Sequence, residues 1–264
     1  LYFENEIPFS NVYFTGIVRD KLGQKMSKSL GNSPDPLDLI EKFGADALRV
    51  GMLMIAPQGV DILFSEDRIE QGRNFMNKLW NSARFVQMNL DGIPDELNYQ
   101  SDNLDKTDLW IISRLNSTIL NVDQAYKQYK LNEAVKLVYD FVWSDFCDWY
   151  IEFTKTRFYG ENEDARHTAR SVSVFVLKSI LQLLHPYTPF ITEELWSTLN
   201  KDNEKLLITS FWPQADDSRI LPKVENEIQI IMDVISAIRT VKTNLNISPG
   251  KPLSIIVRGV DEST

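Results

Sequence analysis

Apolar residues recur every three or four positions through most of the chain, which predicts a largely helical fold. The predicted helices cover residues 66–90, 105–128, 131–159, 164–185, 189–199 and 222–245. Thr188 followed by Pro189 is a typical start for the fifth of these helices. We therefore expect a helical bundle in this part of the chain.

The first sixty residues have a different pattern. Residues 7–22 are rich in β-branched and aromatic side chains, which predicts a strand or a hairpin. Asp35 followed by Pro36 indicates the start of a helix, and Gly44 separates that helix from a second one at residues 45–55. The predicted fold class is therefore mainly α, a helical bundle preceded by a small α/β segment.

These patterns divide the chain into three portions. Residues 1–62 form the α/β segment, residues 63–213 form the bundle, and residues 214–264 contain a linking helix and a strand-like stretch, LSIIV. The chain starts without Met and stops shortly after that stretch, so we expect it to be part of a longer protein. No apolar run approaches the roughly 20 residues of a membrane span.

Composition narrows the possible functions. Acidic residues outnumber basic ones by 37 to 28, which argues against a protein that coats nucleic acid non-specifically but allows a local basic groove. Cys147 is the only cysteine, so no internal disulfide can form, and we expect a cytoplasmic protein. Without a CxxC motif and with only two separated histidines, the sequence predicts no metal site.

A cluster of cations and hydroxyls lies in DKLGQKMSKSLGN, residues 20–32, which we call the lysine loop. Lys25 and Lys28 supply ammonium groups, and Ser27 and Ser29 supply hydroxyl donors. A glycine on each side leaves the backbone free to bend. This donor set suits a polyphosphate, and a solvated surface turn is the alternative.

Two stripes of side chains run along the predicted helix at residues 66–90. At 100° per residue, the buried stripe consists of Phe75, Leu79, Ala83, Val86 and Leu90. A second stripe, roughly 100–140° away, consists of Asn74, Lys78, Asn81 and Phe85. A ring beside amides and a cation suits an unpaired base. The alternative is that Phe85 fills a gap against a neighbouring helix. Arg68 and Arg84 are further candidates for phosphate contacts.

The predicted helix at residues 131–159 is apolar on two sides. Its main core stripe consists of Val135, Val138, Val142, Phe146, Trp149 and Phe153. Ile151 points nearly opposite that stripe, one turn before Lys155. Such a helix is typical of the centre of a bundle. The other interpretation is that Ile151 and Lys155 line a binding pocket together with Phe85.

Several stretches resemble class I aminoacyl-tRNA synthetases. KMSKS at residues 25–29, followed by GN and DP, resembles the nucleotide-binding loop of that class, and GADALR is similar to a second stretch. Other stretches resemble the valyl branch: FTGIVRDKLGQKMSKS, GVDILF, RNFMNKLWNSARF, WSDFCDWYIE and LLHPYTPFITEELW. The resemblance covers nearly the whole chain.

The resemblance implies that the lysine loop belongs to the ATP site of amino-acid activation. There Lys28 would contact the pyrophosphate that leaves, Lys25 would support it, and Ser27 and Ser29 would shape the loop. Cations at that position stabilise charge that develops in the transition state. Mg²⁺ would arrive with ATP and would need no ligand set from the protein.

The resemblance also implies that the helical part binds the anticodon of tRNA(Val), with Phe85 stacking on a base. The other residues that it points to are Lys78, Asn81, Arg84, Arg68, Ile151 and Lys155. The family's second ATP motif, H-x-G-H, and its editing domain are absent from this sequence. We therefore expect that valine is bound outside this chain and that the chain alone does not aminoacylate tRNA. An isoleucyl or leucyl member of the class, or a non-catalytic RNA-binding module, are the alternatives.

Overall fold

The computed structural model describes residue 3 and residues 5–92, 103–200, 205–248, 250–254 and 256. It contains two compact units, Leu1–Leu221 and Pro222–Thr264. The first unit contains the strands β1 Val18–Arg19 and β2 Ile62–Leu63 and the helices α1 Pro36–Phe43, α2 Ala45–Met54, α3 Glu66–Met88, α4 Lys106–Lys127, α5 Leu131–Asp140, α6 Ile151–Phe158, α7 Glu163–Leu184 and α8 Pro189–Leu199. The second unit contains α9 Pro222–Asn244.

The predicted mainly α fold is confirmed, and each predicted helix is present within a few residues of its expected bounds. Of the strand or hairpin predicted for residues 7–22, the structure contains the strand β1 and no hairpin among those described residues. Val18 lies opposite Ile62 in a parallel pair, so the partner strand of β1 is one that follows α2 in the sequence. Residues 1–62 also share one compact unit with the bundle, so the division at residue 62 stays a prediction.

Helices α1 and α2 start where the sequence predicts. The Asp35 carboxylate accepts a hydrogen bond from the N–H of Leu37 at 2.8 Å, and Pro36 takes the first helical position. Gly44 then adopts φ of 94°, a conformation that favours glycine, and allows α2 to begin at once. The two short helices therefore form a compact platform beside α3.

Two glycines let α2 and α3 cross in close contact. A Cβ atom added to Gly51 would lie 2.7 Å from the carbonyl oxygen of Arg68, and one added to Gly72 would lie 2.4 Å from the carbonyl oxygen of Ala47. Neither distance accommodates a carbon atom. The backbones thus touch directly, and the platform that follows the lysine loop is fixed against the bundle.

The platform also holds the turn between α7 and α8. The buried Asp46 carboxylate accepts a hydrogen bond from the N–H of Ile191 at 2.7 Å, at the start of α8. Arg49 donates to the carbonyl oxygens of Tyr187 at 2.9 Å and Pro186 at 3.0 Å. Burial raises the pKa of Asp46, although the α8 amide hydrogen bonds oppose this shift. Thr188 precedes α8 as predicted, but its side chain forms no cap.

Helices α5 and α6 are joined by ten residues of π-helix, Phe141–Tyr150, which we call the π segment. The N–H of Ile151 donates to the carbonyl oxygen of Phe146, five residues earlier. The wider turn of the π segment changes which of its residues face the core. Tyr150 is fully buried, whereas Trp149, which belongs to the predicted core stripe, is only half-buried. Ile151 is 6% exposed, which agrees with the interpretation of a helix that is apolar on two sides and lies at the centre of the bundle.

A buried ion pair anchors α4 to the end of α6. Asp108, fully buried, accepts two hydrogen bonds from the Arg157 guanidinium at 2.5 and 2.8 Å and one from the Tyr150 hydroxyl at 2.7 Å. It also accepts from the N–H of Asp105, which closes a capping box at the start of α4. Burial raises the pKa of Tyr150 well above its ordinary value, so the phenol stays protonated and donates.

No helix within the described ranges has the length and apolarity that crossing a membrane requires.

We expect Asp108→Asn to lower the free energy of unfolding by about 3–5 kcal/mol, because it removes the buried carboxylate that binds Arg157 through two hydrogen bonds and leaves that charge only Asp105 at 3.3 Å. Urea unfolding followed by circular dichroism measures this change. Glu70→Gln is the matched control, since Glu70 and Arg73 form an exposed pair on α3 at 2.9 Å. It should cost at most about 1 kcal/mol. Equal losses in both variants would contradict the anchoring role.

We expect Gly72→Ala to destabilise the first unit by about 1–3 kcal/mol, because the new methyl group forces α2 and α3 apart. In an exposed helix interior, the same change would stabilise by about 1 kcal/mol, so the sign of the effect is diagnostic. Thermal unfolding measures it. A rise in melting temperature would show that the helices do not cross as closely as described.

Candidate functional site

The lysine loop leaves β1 and returns to it. The N–H of Met26 donates to the carbonyl oxygen of Val18 at 3.3 Å, and Arg19 and Lys25 form an antiparallel bridge. This pairing fixes the position of Lys25 relative to the short sheet. The loop is therefore a defined structure at its base and not an open turn.

A single 3-10 turn, Lys28–Leu30, presents the second lysine. The Ser27 hydroxyl accepts a hydrogen bond from the N–H of Leu30 at 3.3 Å and lies 3.1 Å from the Ser29 hydroxyl. Gly31 ends the turn with φ of 69°, where a side chain would be strained. The two serines thus hold the turn, in keeping with the loop-shaping role implied for them.

One carboxylate organises the interior of the loop. Asp20 accepts hydrogen bonds from the N–H groups of Leu22 and Gln24, each at 2.9 Å, and from the Asn32 amide at 2.8 Å. Asn32 in turn accepts from the N–H of Ser27 at 2.9 Å. The Asn32 amide, followed by the Gln24 N–H, lowers the pKa of Asp20. Asp20 and Asn32 are site-shaping residues that the sequence analysis did not identify.

The loop turns its charges outward. Lys25, Lys28 and Ser29 are exposed, and Ser27 is half-buried under the turn. Two ammonium groups on a backbone held by internal hydrogen bonds can face the spread negative charge of a polyphosphate. The geometry is compatible with the ATP contacts that the sequence implies for these residues.

The second candidate site is a groove of about 430 Å³ between α3 and the helix formed by the π segment and α6, which we call the α3–α6 groove. Its lining residues are Asn74, Asn77, Lys78, Asn81, Ser82, Phe85, Cys147, Ile151, Glu152 and Lys155. The structure therefore brings together the whole second stripe of α3 with Ile151 and Lys155. The interpretation in which those two residues line a pocket with Phe85 agrees with this geometry.

Phe85 forms one end of the groove. Its ring lies 5.8 Å from the ring of Phe158, tilted by 49°, and the ammonium group of Lys155 lies 5.7 Å from its centroid. The ring is half-buried, so it packs against a neighbouring helix and still contributes surface to the groove. Both interpretations of Phe85 are compatible with this position, and stacking on a base stays a prediction.

The lysines of the groove are held by neighbouring side chains. The ammonium group of Lys78 lies 2.5 Å from the Asp148 carboxylate and 3.8 Å from the ring centroid of Trp143. The ammonium group of Lys155 lies 2.5 Å from the Glu152 carboxylate. Each cation therefore has a fixed direction, although both remain accessible at the surface.

The two arginine candidates lie outside the groove. Arg84 is exposed on α3 but does not line the groove. Arg68 is in the first turn of α3, about 25 Å along the helix from Phe85 at 1.5 Å per residue. It donates to the Gln71 side chain at 3.1 Å and lines a separate pocket of about 590 Å³ that includes Asp61. A phosphate bound at Arg68 would therefore be remote from a base bound at Phe85.

The groove also contains residues that the sequence analysis missed as ligand contacts. Asn77 follows Asn74 by three positions, so the helical period of α3 could have identified it. Glu152, which lines the groove, and Asp148, which holds Lys78, could not have been placed, because the π segment changes the period. Cys147 lines the groove, but burial raises the pKa of its thiol to about 11, which disfavours the thiolate that a nucleophile requires.

Among the described residues, no group of three or more His, Cys, Asp or Glu side chains is arranged to hold a metal ion. His185 is half-buried at the end of α7, with Nδ1 2.8 Å from the Thr192 hydroxyl, and burial lowers its pKa. That environment is typical of a core histidine.

Sequence comparison relates both sites to known proteins. Residues 108–257 match the family described as "Anticodon-binding domain of tRNA ligase", and residues 1–65 match "tRNA synthetases class I (I, L, M and V)". The chain is 46% identical to the valine–tRNA ligase of Fusobacterium nucleatum over 97% of its length, and 40% identical to that of Geobacillus stearothermophilus over 99%. It spans 29% and 30% of those two relatives.

Solved structures show the same fold at lower identity. The LeuRS of Agrobacterium radiobacter, in a ternary complex with tRNA and LeuAMS, matches 78% of this chain and 24% of its own with a TM-score of 0.58. The methionyl-tRNA synthetase of Mycobacterium tuberculosis, in complex with methionyl-adenylate, matches 69% of this chain and 37% of its own with a TM-score of 0.57. Both are 22% identical to this chain, so they establish the fold alone.

The family match covers more than half of the chain and includes most of the helical bundle, and the valine enzymes match along nearly all of it. The chain therefore belongs to the family of anticodon-binding domains of tRNA ligases, joined here to a class I synthetase segment and similar throughout to valine–tRNA ligases.

Proposed function

We propose that this chain is the part of a valine–tRNA ligase that contributes the KMSKS loop to valine activation and binds the anticodon of tRNA(Val). The observation that carries the proposal is the occurrence of both sites in one chain. The lysine loop exposes two cations on a fixed backbone, and the α3–α6 groove collects a ring, amides and lysines. The similarity to valine–tRNA ligases along the chain supports the choice of amino acid.

In the first reaction, the lysine loop would act on the pyrophosphate side of ATP. ATP supplies the adenylyl group and brings Mg²⁺ with it. Lys28, on the exposed 3-10 turn, would contact the phosphate oxygens on which charge accumulates, and Lys25 would support it from the strand side of the loop. Because the Asp20 and Asn32 hydrogen bonds hold the backbone in advance, little reorganisation is needed when charge develops.

In the second role, the α3–α6 groove would accept an unpaired anticodon base. Phe85 would provide the stacking surface, and the Asn81 amide would form hydrogen bonds with a base edge. Lys78 and Lys155 lie on the two sides of the groove, on α3 and α6. Ile151 would close the groove floor, because it is buried there.

The remaining steps belong to parts of the enzyme that this chain does not contain. The sequence has no H-x-G-H motif, so valine and the adenosine end of ATP would be bound elsewhere in the parent enzyme. The chain alone would bind RNA without charging it. Residues 1–62 would then be the end of the catalytic domain and residues 63–213 the anticodon-binding domain, in a cytoplasmic enzyme of translation.

We expect Lys28→Ala in the full-length parent enzyme to lower the rate of valyl-adenylate formation by about 10²–10³, because one preorganised contact to the leaving group is lost. Pyrophosphate exchange measures this rate. Lys42→Ala is the control, since Lys42 pairs with Glu66 on the surface, outside the loop. Binding of tRNA(Val) should be unchanged in both variants. Equal losses in exchange and in tRNA binding would refute the assignment.

We expect Phe85→Ala in this chain to weaken binding of a valine anticodon stem-loop by about 1–3 kcal/mol, the usual contribution of one stacked base. Fluorescence anisotropy at a stated salt concentration measures the affinity. Trp80→Ala is the matched control, because Trp80 is an exposed aromatic residue on the same helix that does not line the groove. If both variants bind like the wild type, the stacking role is excluded.

A further inference from the structure

Each of the two lysines of the α3–α6 groove forms an ion pair with an acidic residue of the helix that consists of the π segment and α6. Asp148 lies in the π segment and holds Lys78, and Glu152 lies in the first turn of α6 and holds Lys155. Both acids are about half-exposed; Glu152 lines the groove, and Asp148 is linked to it through its ion pair with Lys78. The four formal charges sum to zero.

The other polar groups that line the groove are neutral. Asn74, Asn77 and Asn81 offer amides, Ser82 offers a hydroxyl, and Phe85 offers a ring. Amides and hydroxyls pair with the edge of a planar heterocycle, and the ring pairs with its face. A phosphate, in contrast, requires unpaired positive charge. The lining therefore suits an uncharged base better than an RNA backbone.

We propose, building on the function proposed above, that Asp148 and Glu152 are specificity-determining residues of the α3–α6 groove. By holding Lys78 and Lys155 in ion pairs, they admit an unpaired nucleobase and exclude the phosphate backbone of other RNA. The acids act by making the binding of a phosphate backbone at these lysines unfavourable, which is a common source of specificity at charged surfaces.

The physical basis is a competition for the lysines. A phosphate that binds Lys78 must replace Asp148 and then remain beside a carboxylate that has lost its partner. A neutral base leaves both ion pairs intact and uses the amides and the ring. Exposed pairs of this kind alter an equilibrium by up to about fivefold each, so two of them together provide an effect of up to about 25-fold. The ring of Trp143 adds to this effect by restraining the Lys78 ammonium group.

The test uses the 264-residue chain and two synthetic stem-loops, one with a valine anticodon and one with an altered anticodon. The variant is Asp148→Asn combined with Glu152→Gln, which frees both lysines. The matched control is Asp140→Asn combined with Glu161→Gln, which changes the charge equally at two exposed positions that do not line the groove. Affinities are measured over a series of NaCl concentrations.

For the variant, we expect the slope of log K against log salt to steepen by about 1.4, since each single-strand phosphate contact contributes about 0.7. The affinity for the altered stem-loop should rise about tenfold. The affinity for the valine stem-loop should rise only about twofold, because that complex leaves both ion pairs intact in the wild type and so gains little when they are removed. The control should keep the wild-type slope and the wild-type ratio of affinities.

Three results would overturn the proposal. An unchanged slope and an unchanged preference in the variant would exclude the role of the two acids while leaving the proposed function intact. An equal change in the control would show that net charge alone is responsible. Wild-type chain that binds both stem-loops equally would overturn the proposed function, and this inference with it. If the double variant fails to fold, each single variant is expected to steepen the slope by about 0.7.

Discussion

The direct contact between the backbones of α2 and α3 is the constraint on which the rest of the first unit depends. Gly51 and Gly72 remove the side chains that would separate the helices, and Asp46 and Arg49 on the far side of α2 then reach the turn between α7 and α8. The segment that follows the lysine loop is therefore part of the packed core and not an appendage. The helix that packs against this segment, α3, also forms one wall of the groove.

The sequence was sufficient for most of the fold, because the helices follow a regular apolar period with ordinary start signals such as Asp35 before Pro36. The sequence was insufficient to predict the short parallel sheet. Two residues in β1 pair with a strand that lies beyond two helices, and no local pattern encodes such a distant partner. It also failed at the π segment, where a count of 100° per residue predicts burial for Trp149, although Tyr150 takes that place.

The candidate site could be predicted to a similar extent. The second stripe of α3 lines the groove as its spacing indicates, because a straight α-helix preserves that spacing over several turns. The ion pairs could not be predicted. Asp148 and Glu152 lie beyond the point where the wider turn changes the phase, so which helix faces them depends on tertiary packing. The role of Asp20 could not be predicted for another reason. A carboxylate at the edge of a lysine cluster is usually interpreted as a compensating charge, whereas Asp20 is the acceptor that organises the loop.

The role of Asp20 has a consequence for how the loop responds to acid. Its hydrogen bonds favour the ionised carboxylate, so the folded-state pKa lies below the unfolded value of 3.8. The contribution of Asp20 to the loop is then complete above that unfolded value and disappears only as the pH falls through the lowered pKa. The hydrogen bonds of Asp20 that organise the loop are thus retained from mildly acidic to neutral solution. A change in ligand binding at the loop across that interval would have to originate in groups other than this carboxylate.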